Sequence, residues 1–306
     1  MNSLAAAIAK LIELRGKSPG WGYRPSSEPY VEPTVLCCLG LLASADEFDQ
    51  PKMLSLATRS AEWLATIQQR DGSVGPSESL PAPSWPTPYA LLLWTICDDL
   101  ASRSDFAQQR AAAADYLLRN RGRGIRKGDV ISHDGMIPGW PWVVDTHPWV
   151  EPTVTAIIAL CKAGYGDSTR ILDGRRLLRD RSLPHGGWNY GNTVVLDREL
   201  RPQPGPTAWA LLGLVGDDPA SRAVWLGIDY LKQALPSRAA LSLGLSILAM
   251  SAWGQRPKAS PAWLAAAAPE SFKRSDVAFQ LAFLVLAASA DRTLELLGLR
   301  AKGGQG

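Results

Sequence analysis

The 306-residue chain is 46% hydrophobic and 20% charged, with a formal net charge of +3. That balance supports a sizeable core, and it excludes both a disordered chain and the dense basic footprint of a nucleic-acid binder. The four cysteines, Cys37, Cys38, Cys97 and Cys161, sit in apolar runs without CxxC or Cys/His spacing, as expected of free buried thiols in a reducing compartment.

The first segment, Leu4–Leu14, is amphipathic. Lys10 and Glu13 interrupt it, so it lacks the apolar stretch of a signal peptide. The run "TVLCCLGLLA" from Thr34 is apolar nearly all round, which predicts a helix buried on every side. The alternation then repeats. Amphipathic Met53–Gln69 precedes apolar "TPYALLLWTIC" from Thr87; Phe106–Leu118 precedes "TVTAIIALC" from Thr153; Arg170–Arg179 precedes "TAWALLGLVG" from Thr207. Two further pairs lack the Pro-Thr head: Ala220–Ala234 with Ala239–Trp253, and Pro261–Ala268 with Asp276–Ser289. The longest apolar stretch, Val277–Ala290, is broken by Gln280 and too short to span a bilayer. A soluble, cytoplasmic location is expected, with peripheral membrane contact left open.

Each of Thr34, Thr87, Thr153 and Thr207 follows a proline, at spacings of 53, 66 and 54 residues. Pro33, Pro86, Pro152 and Pro206 suit the first turn of a helix, where the missing N–H costs nothing. Six outer–inner pairs predict an all-α fold, a single (α/α)6 toroid over 1–306. Its repeats run roughly over 3–45, 51–99, 105–164, 168–215, 219–253 and 259–289, followed by a tail at 299–306. The loops before the first four inner helices are long, and loops of that length in a compact domain carry function. Parallel stacking opens all four at one end of the ring. They bring aromatics there, among them Tyr23, Tyr89 and Trp209.

"WLATIQQRDGSVG", "LPHGGWNYG", "SPGWGY" and "GPTAWALLGL" resemble the repeats of squalene and other triterpene cyclases, with Val74 replacing the repeat's final Trp. The same toroid occurs in protein prenyltransferase β subunits. The chain is similar to the terpenoid cyclase and prenyltransferase superfamily over roughly residues 3–290, and it resembles a single-toroid member. The resemblance implies an isoprenoid-handling enzyme, a class II cyclase or isomerase. A prenyltransferase β-subunit-like protein and a non-catalytic module holding an apolar ligand are the alternatives.

"YVEPT" and "WVEPT" overlay the family's Asp-x-Asp-Asp-Thr motif, with Glu32 and Glu151 at the proton-donating position and the flanking acids absent. Protonating an alkene needs a carboxylic acid that is neutral at rest, inside a dry cavity lined by aromatic faces. Glu151 is the expected acid, with Asp145 and His147 on the same loop as its partners. Both glutamates also suit a plain cap at a helix N-terminus. Trp21, Tyr30, Glu32, Trp85, Trp140, Trp142, Trp149, Trp188 and Tyr190 are the expected substrate-binding residues. Arg121, Arg123 and Arg126, in "RNRGRGIRKG", are candidates for holding a diphosphate. His133, Asp134, Asp145 and His147 lack a recognised zinc spacing, and no DDxxD motif is present, so neither a metal nor a cofactor is expected.

Overall fold

In the computed structural model, described for residues 3–45, 48–82, 85–126, 132–237 and 239–299, thirteen helices follow one another. Six are inner helices: α2 (Val31–Ala43), α4 (Thr87–Ala101), α6 (Val150–Lys162), α8 (Pro204–Gly213), α10 (Ala240–Ala252) and α12 (Val277–Ala288). Each packs on the next, and α12 packs on α2, which closes the ring. The outer layer is α1 (Ser3–Arg15), α3 (Gln50–Ile67), α5 (Ala107–Arg119), α7 (Thr169–Asp180), α9 (Arg222–Ala234) and α11 (Ser260–Ser271).

Sequence sets this layering directly. All thirteen residues of α2 are buried, whereas α9 buries only Val224, Gly227 and Leu231. A helix without a polar face has nowhere to go but the middle, and an amphipathic one covers it.

Two elements lie outside the expected pattern. Before α8 the chain makes a small hairpin, β1 (Val194–Val195) against β2 (Arg198–Glu199), turned by Leu196 and Asp197 at φ 50 and 58. After α12 the chain bends by 96° into α13 (Ala290–Leu297), which packs against α2, α6, α10 and α12. It therefore lies across the end of the ring remote from the long loops. No single helix among the described residues is long and apolar enough to cross a membrane.

The repeat threonines are bolts between layers. Thr34, Thr87, Thr153 and Thr207 accept hydrogen bonds from the backbone N–H of Trp21 (2.9 Å), Val74 (2.9 Å), Trp140 (3.1 Å) and Trp188 (2.9 Å). The three tryptophans so held then donate their indole N–H outward, to the carbonyls of Leu11 (2.8 Å), Leu117 (2.9 Å) and Leu178 (2.7 Å) on the outer helices. Each Gly-Trp loop is thus tied to an inner helix on one side and an outer helix on the other.

The glycine is required by contact. A Cβ on Gly20 would stand 2.2 Å from Thr34 Oγ1, and one on Gly139 would stand 2.7 Å from Thr153 Oγ1. Gly20→Ala is expected to displace the threonine bolt and cost about 1–3 kcal/mol, the range for overpacking a filled site. Denaturant unfolding would show it. An unchanged midpoint would mean that Thr34 simply rotates away.

Candidate active site at the head of the inner ring

The inner helices present equivalent stripes to the ring axis. The residue two after each repeat threonine (Leu36, Tyr89, Thr155, Trp209) and the residue five after it (Leu39, Leu92, Ile158, Leu212) all line one central slot. Leu245 and Leu248 of α10, Phe283 and Leu286 of α12, and Leu297 of α13 complete it. One turn above, on the same helical face, stand Glu32, Glu151, Gly205, Leu241 and Phe279, since positions four apart lie on one side of a helix, while Trp85 holds the matching place in the turn that leads into α4. The two "VEPT" glutamates therefore head two of the six stripes. They do not point to the surface.

The slot itself is narrow, about 40 Å³. Tyr89, Trp209, Phe283 and the leucines fill most of the axis, and an extended apolar ligand enters only as these side chains move.

Glu32 is buried and held by three side-chain donors. The hydroxyls of Tyr23 and Tyr89 (3.3 Å) and the indole N–H of Trp85 (3.4 Å) all reach its carboxyl oxygens. None of these is a backbone N–H of α2, so the capping expectation fails here. The first N–H of that helix is satisfied by Pro76 O (2.9 Å), just as Val150 N of α6 is satisfied by Tyr190 O (3.0 Å). Burial raises the pKa of Glu32, and the three donors oppose the rise by favouring the carboxylate.

Glu151 has no side-chain donor among the described residues, and it keeps some accessible area at the head of the slot, deep beneath the loops. Burial first, and then the charge of Glu32, push its pKa up to about 8. Tyr23 and Tyr89 sense the charges of both glutamates, and burial is the main cause of their raised values. The result is a buried carboxyl pair, both members raised by burial, in which Glu32 is held by three side-chain donors and Glu151, among the described residues, by none.

Aromatic rings surround the pair. Tyr23 packs on Tyr30 (5.1 Å between centroids) and edge-on against Phe279 (5.4 Å), and Phe279 packs on Phe283 (5.3 Å) within the slot. Trp85 meets Trp142 edge-on at 5.4 Å. Of the residues expected from sequence, Glu32, Glu151, Tyr30, Trp85 and Trp142 gather here.

The others do not. Trp21, Trp140 and Trp188 are buried between the layers as the indole bolts described above, with Trp140 also under the Arg170 guanidinium at 4.0 Å. Tyr190 contributes its carbonyl while its ring is 59% exposed. Asp145 is exposed at a left-handed position (φ 62) and makes no contact with Glu151. His147 turns instead toward His133 (5.7 Å) and Trp149 (6.0 Å). Burial, and then the charge of Arg181, lower its pKa, so it is neutral and remote from the carboxyl pair.

Arg121, Arg123 and Arg126 are exposed; Lys127 and Gly128 of the same basic run lie outside the described residues. Among the described residues no three His, Cys, Asp or Glu side chains stand where they could hold a metal ion, so Asp134 and Asp145 do not join the two histidines.

Tyr23, Tyr89 and Trp209 were placed by sequence at this end of the ring but not among the expected binding residues, and Phe279 and Phe283 were not named. For Tyr89 and Trp209 the signal was present in the fixed offset from the repeat threonine. For Tyr23 the loop gave the place but not the contact, since the fold alone delivers its hydroxyl to Glu32.

No protein-family model matches this sequence, and no curated protein matches it. Solved structures do. A variant of the type II terpene cyclase MstE from Scytonema, in complex with its substrate geranylgeranyl dihydroxybenzoate, superposes with a TM-score of 0.63 at 15% identity, over 95% of this chain and 97% of that one. A wild-type glycosidase gives 0.58 at 12% identity, over 97% and 96%. A protein from Actinoplanes gives 0.58 at 16%, over 95% and 99%. The shared property is the fold. It is the all-α, α/α toroid of terpene cyclases and glycosidases, and at such identities it does not carry the reaction.

Proposed function

We propose that this protein moves a proton onto and off an apolar, unsaturated substrate of the isoprenoid class, as a terpene cyclase or isomerase. The observation that carries this reading is the pairing of Glu151, which keeps its proton to about pH 8, with Glu32 under a ring of aromatic faces. Glu151 is the general acid. As its proton passes to a C=C bond, positive charge grows on carbon, and the Glu32 carboxylate and the faces of Trp85, Tyr89 and Phe279 stabilise it. A carboxylate of the pair then takes a proton from a neighbouring carbon, which leaves the reaction redox-neutral.

Type II terpene cyclases and glycosidases share the fold, and glycosidases also employ two carboxyl groups. The lining supports the first of the two here. Sugar hydroxyls need polar partners, and below the glutamates the slot presents leucine, isoleucine and aromatic side chains with Thr155 as the one hydroxyl of its wall besides Tyr89.

The test is product analysis by gas chromatography–mass spectrometry with squalene, geranylgeranyl diphosphate and a prenylated hydroxybenzoate. A cyclised or isomerised product is expected from the wild type and not from Glu151→Gln. Glu32→Gln should keep some turnover, but with its alkaline limb moved to lower pH, because the charge that raises Glu151 is gone. Product persisting undiminished in Glu151→Gln would sink the assignment.

A further inference from the structure

The long loop into α6 is held down by few apolar groups. Between residues 132 and 149 the buried side chains are those of His133, Ile137, Trp140, Pro141 and Pro148, while Met136, Val143 and Val144 stand exposed. Yet this loop reaches both glutamates. It seats Trp142 on Trp85, a donor to Glu32, and its Trp149 leads directly into Val150 and Glu151 at the start of α6.

Two of the chain's three histidines lie in that loop, and their setting is unusual. His133 is 3% exposed, and all four ring nitrogens of His133 and His147 are buried without a hydrogen-bond partner. The rings stand 5.7 Å apart, and His147 is also edge-on to Trp149 at 6.0 Å. Beside them, at the end of α7, the side chain of Arg181 is wholly buried. Its Nη1 is held by Asp180 (2.6 Å) and by the carbonyl of Asp134 (3.3 Å), whereas its Nε and Nη2 have no partner.

Such a cluster accommodates two neutral rings and resists charged ones. A proton on either ring would sit away from water, close to the other histidine and to a guanidinium already in place. Burial, and then the charges of Arg181 and His147, push the pKa of His133 down to about 4, with Asp134 opposing. Burial and Arg181 likewise lower that of His147, and the backbone of Arg123 opposes without reaching hydrogen-bond geometry. The neighbouring carboxylates are already engaged, Asp134 with Arg176 (3.6 Å) and Asp180 with Arg181.

We infer that His133 and His147 form an acid-sensitive clasp, which holds residues 132–149 against the ring at neutral pH and releases them in mild acid while the ring stays folded. The direction follows from proton counting. An open loop returns His133 to its ordinary 6.5, so between that value and about 4 the open form binds a proton that the closed form excludes. Closure is complete near neutral pH and weakens as pH falls through this window. An effect on turnover rests on the proposed reaction; the clasp itself does not.

The test is hydrogen–deuterium exchange of the full chain, read by mass spectrometry at pH 7.5 and pH 5 and corrected for the intrinsic pH dependence of amide exchange. Peptides from residues 132–149 should lose protection about tenfold or more at pH 5, while those from α10 keep theirs. The double variant His133→Gln, His147→Gln should show the same protection at both pH values, whatever its level. His185→Gln, at an exposed histidine elsewhere, should behave as the wild type does.

Equal protection of the wild-type loop at both pH values overturns the clasp, even if the double variant folds poorly. An undiminished loss in the double variant also overturns it, by placing the titration on another group. A loss shared by α10 overturns it too, because acid would then be unfolding the whole ring. These readings need no substrate, so a working clasp in a protein without turnover removes only the proposed reaction.

Discussion

Glu151→Gln is expected to make the protein more stable than the wild type in alkaline solution, by roughly 2–4 kcal/mol near pH 8. The sign follows from where the proton resides. Glu151 titrates at about 8 in the folded protein, against an ordinary 4.5. Between those values the folded state keeps a proton that the unfolded state has released, so wild-type stability is fullest below about pH 4.5. It falls as pH rises toward 8 and levels off above. Glutamine fills nearly the same volume and does not titrate, so its curve lacks that fall. Urea unfolding of both proteins at pH 5 and pH 8.5 measures the difference. Parallel curves would show that Glu151 is solvated and ionised, and the acid role would go with it.

Trp188→Ala is expected to cost about 3–5 kcal/mol, the range for emptying a buried aromatic site. The side chain is fully buried, its indole N–H is bonded to Leu178 O at 2.7 Å, and its ring lies where a Cβ on Gly227 would stand 2.6 Å from it. Alanine leaves a cavity where α7 and α9 meet the loop, and it orphans the Leu178 carbonyl. Trp225, 61% exposed on the neighbouring helix, supplies the control, since Trp225→Ala should fall within about 0.5 kcal/mol of the wild type. Similar losses for both in denaturant unfolding would mean that the indole bolt contributes nothing beyond surface area.

The fold was legible because it is written in hydrophobic period. The six buried helices coincide with the six apolar runs to within a few residues, from Val31–Ala43 to Val277–Ala288. Short α13 was not read, since its sequence "ADRTLELL" is an ordinary amphipathic turn whose place depends on the ring it closes.

At the site, the glutamates and part of their aromatic surround were legible from the repeat. Their partners were not. Asp145 and His147 lie within six residues of Glu151 in sequence, yet the loop carries Asp145 into solvent and His147 toward Arg181. The groups that hold Glu32 arrive from residues 23, 85 and 89, and only the closed ring brings them together. Likewise, Gly-Trp reads as an aromatic site residue until the threonine bolt shows it turned outward.

Helix α13 also has a kinetic meaning. By lying across one end of the ring with Leu297 in the slot, it closes that end, so that on the proposed reading a ligand would come and go beneath the long loops. Whatever enters must leave by the same route, so arrival and departure cannot overlap in time. If the proposed reaction holds, accumulated product would compete with fresh substrate for that passage, and the length of each cycle would be set as much by clearing it as by the chemistry beneath.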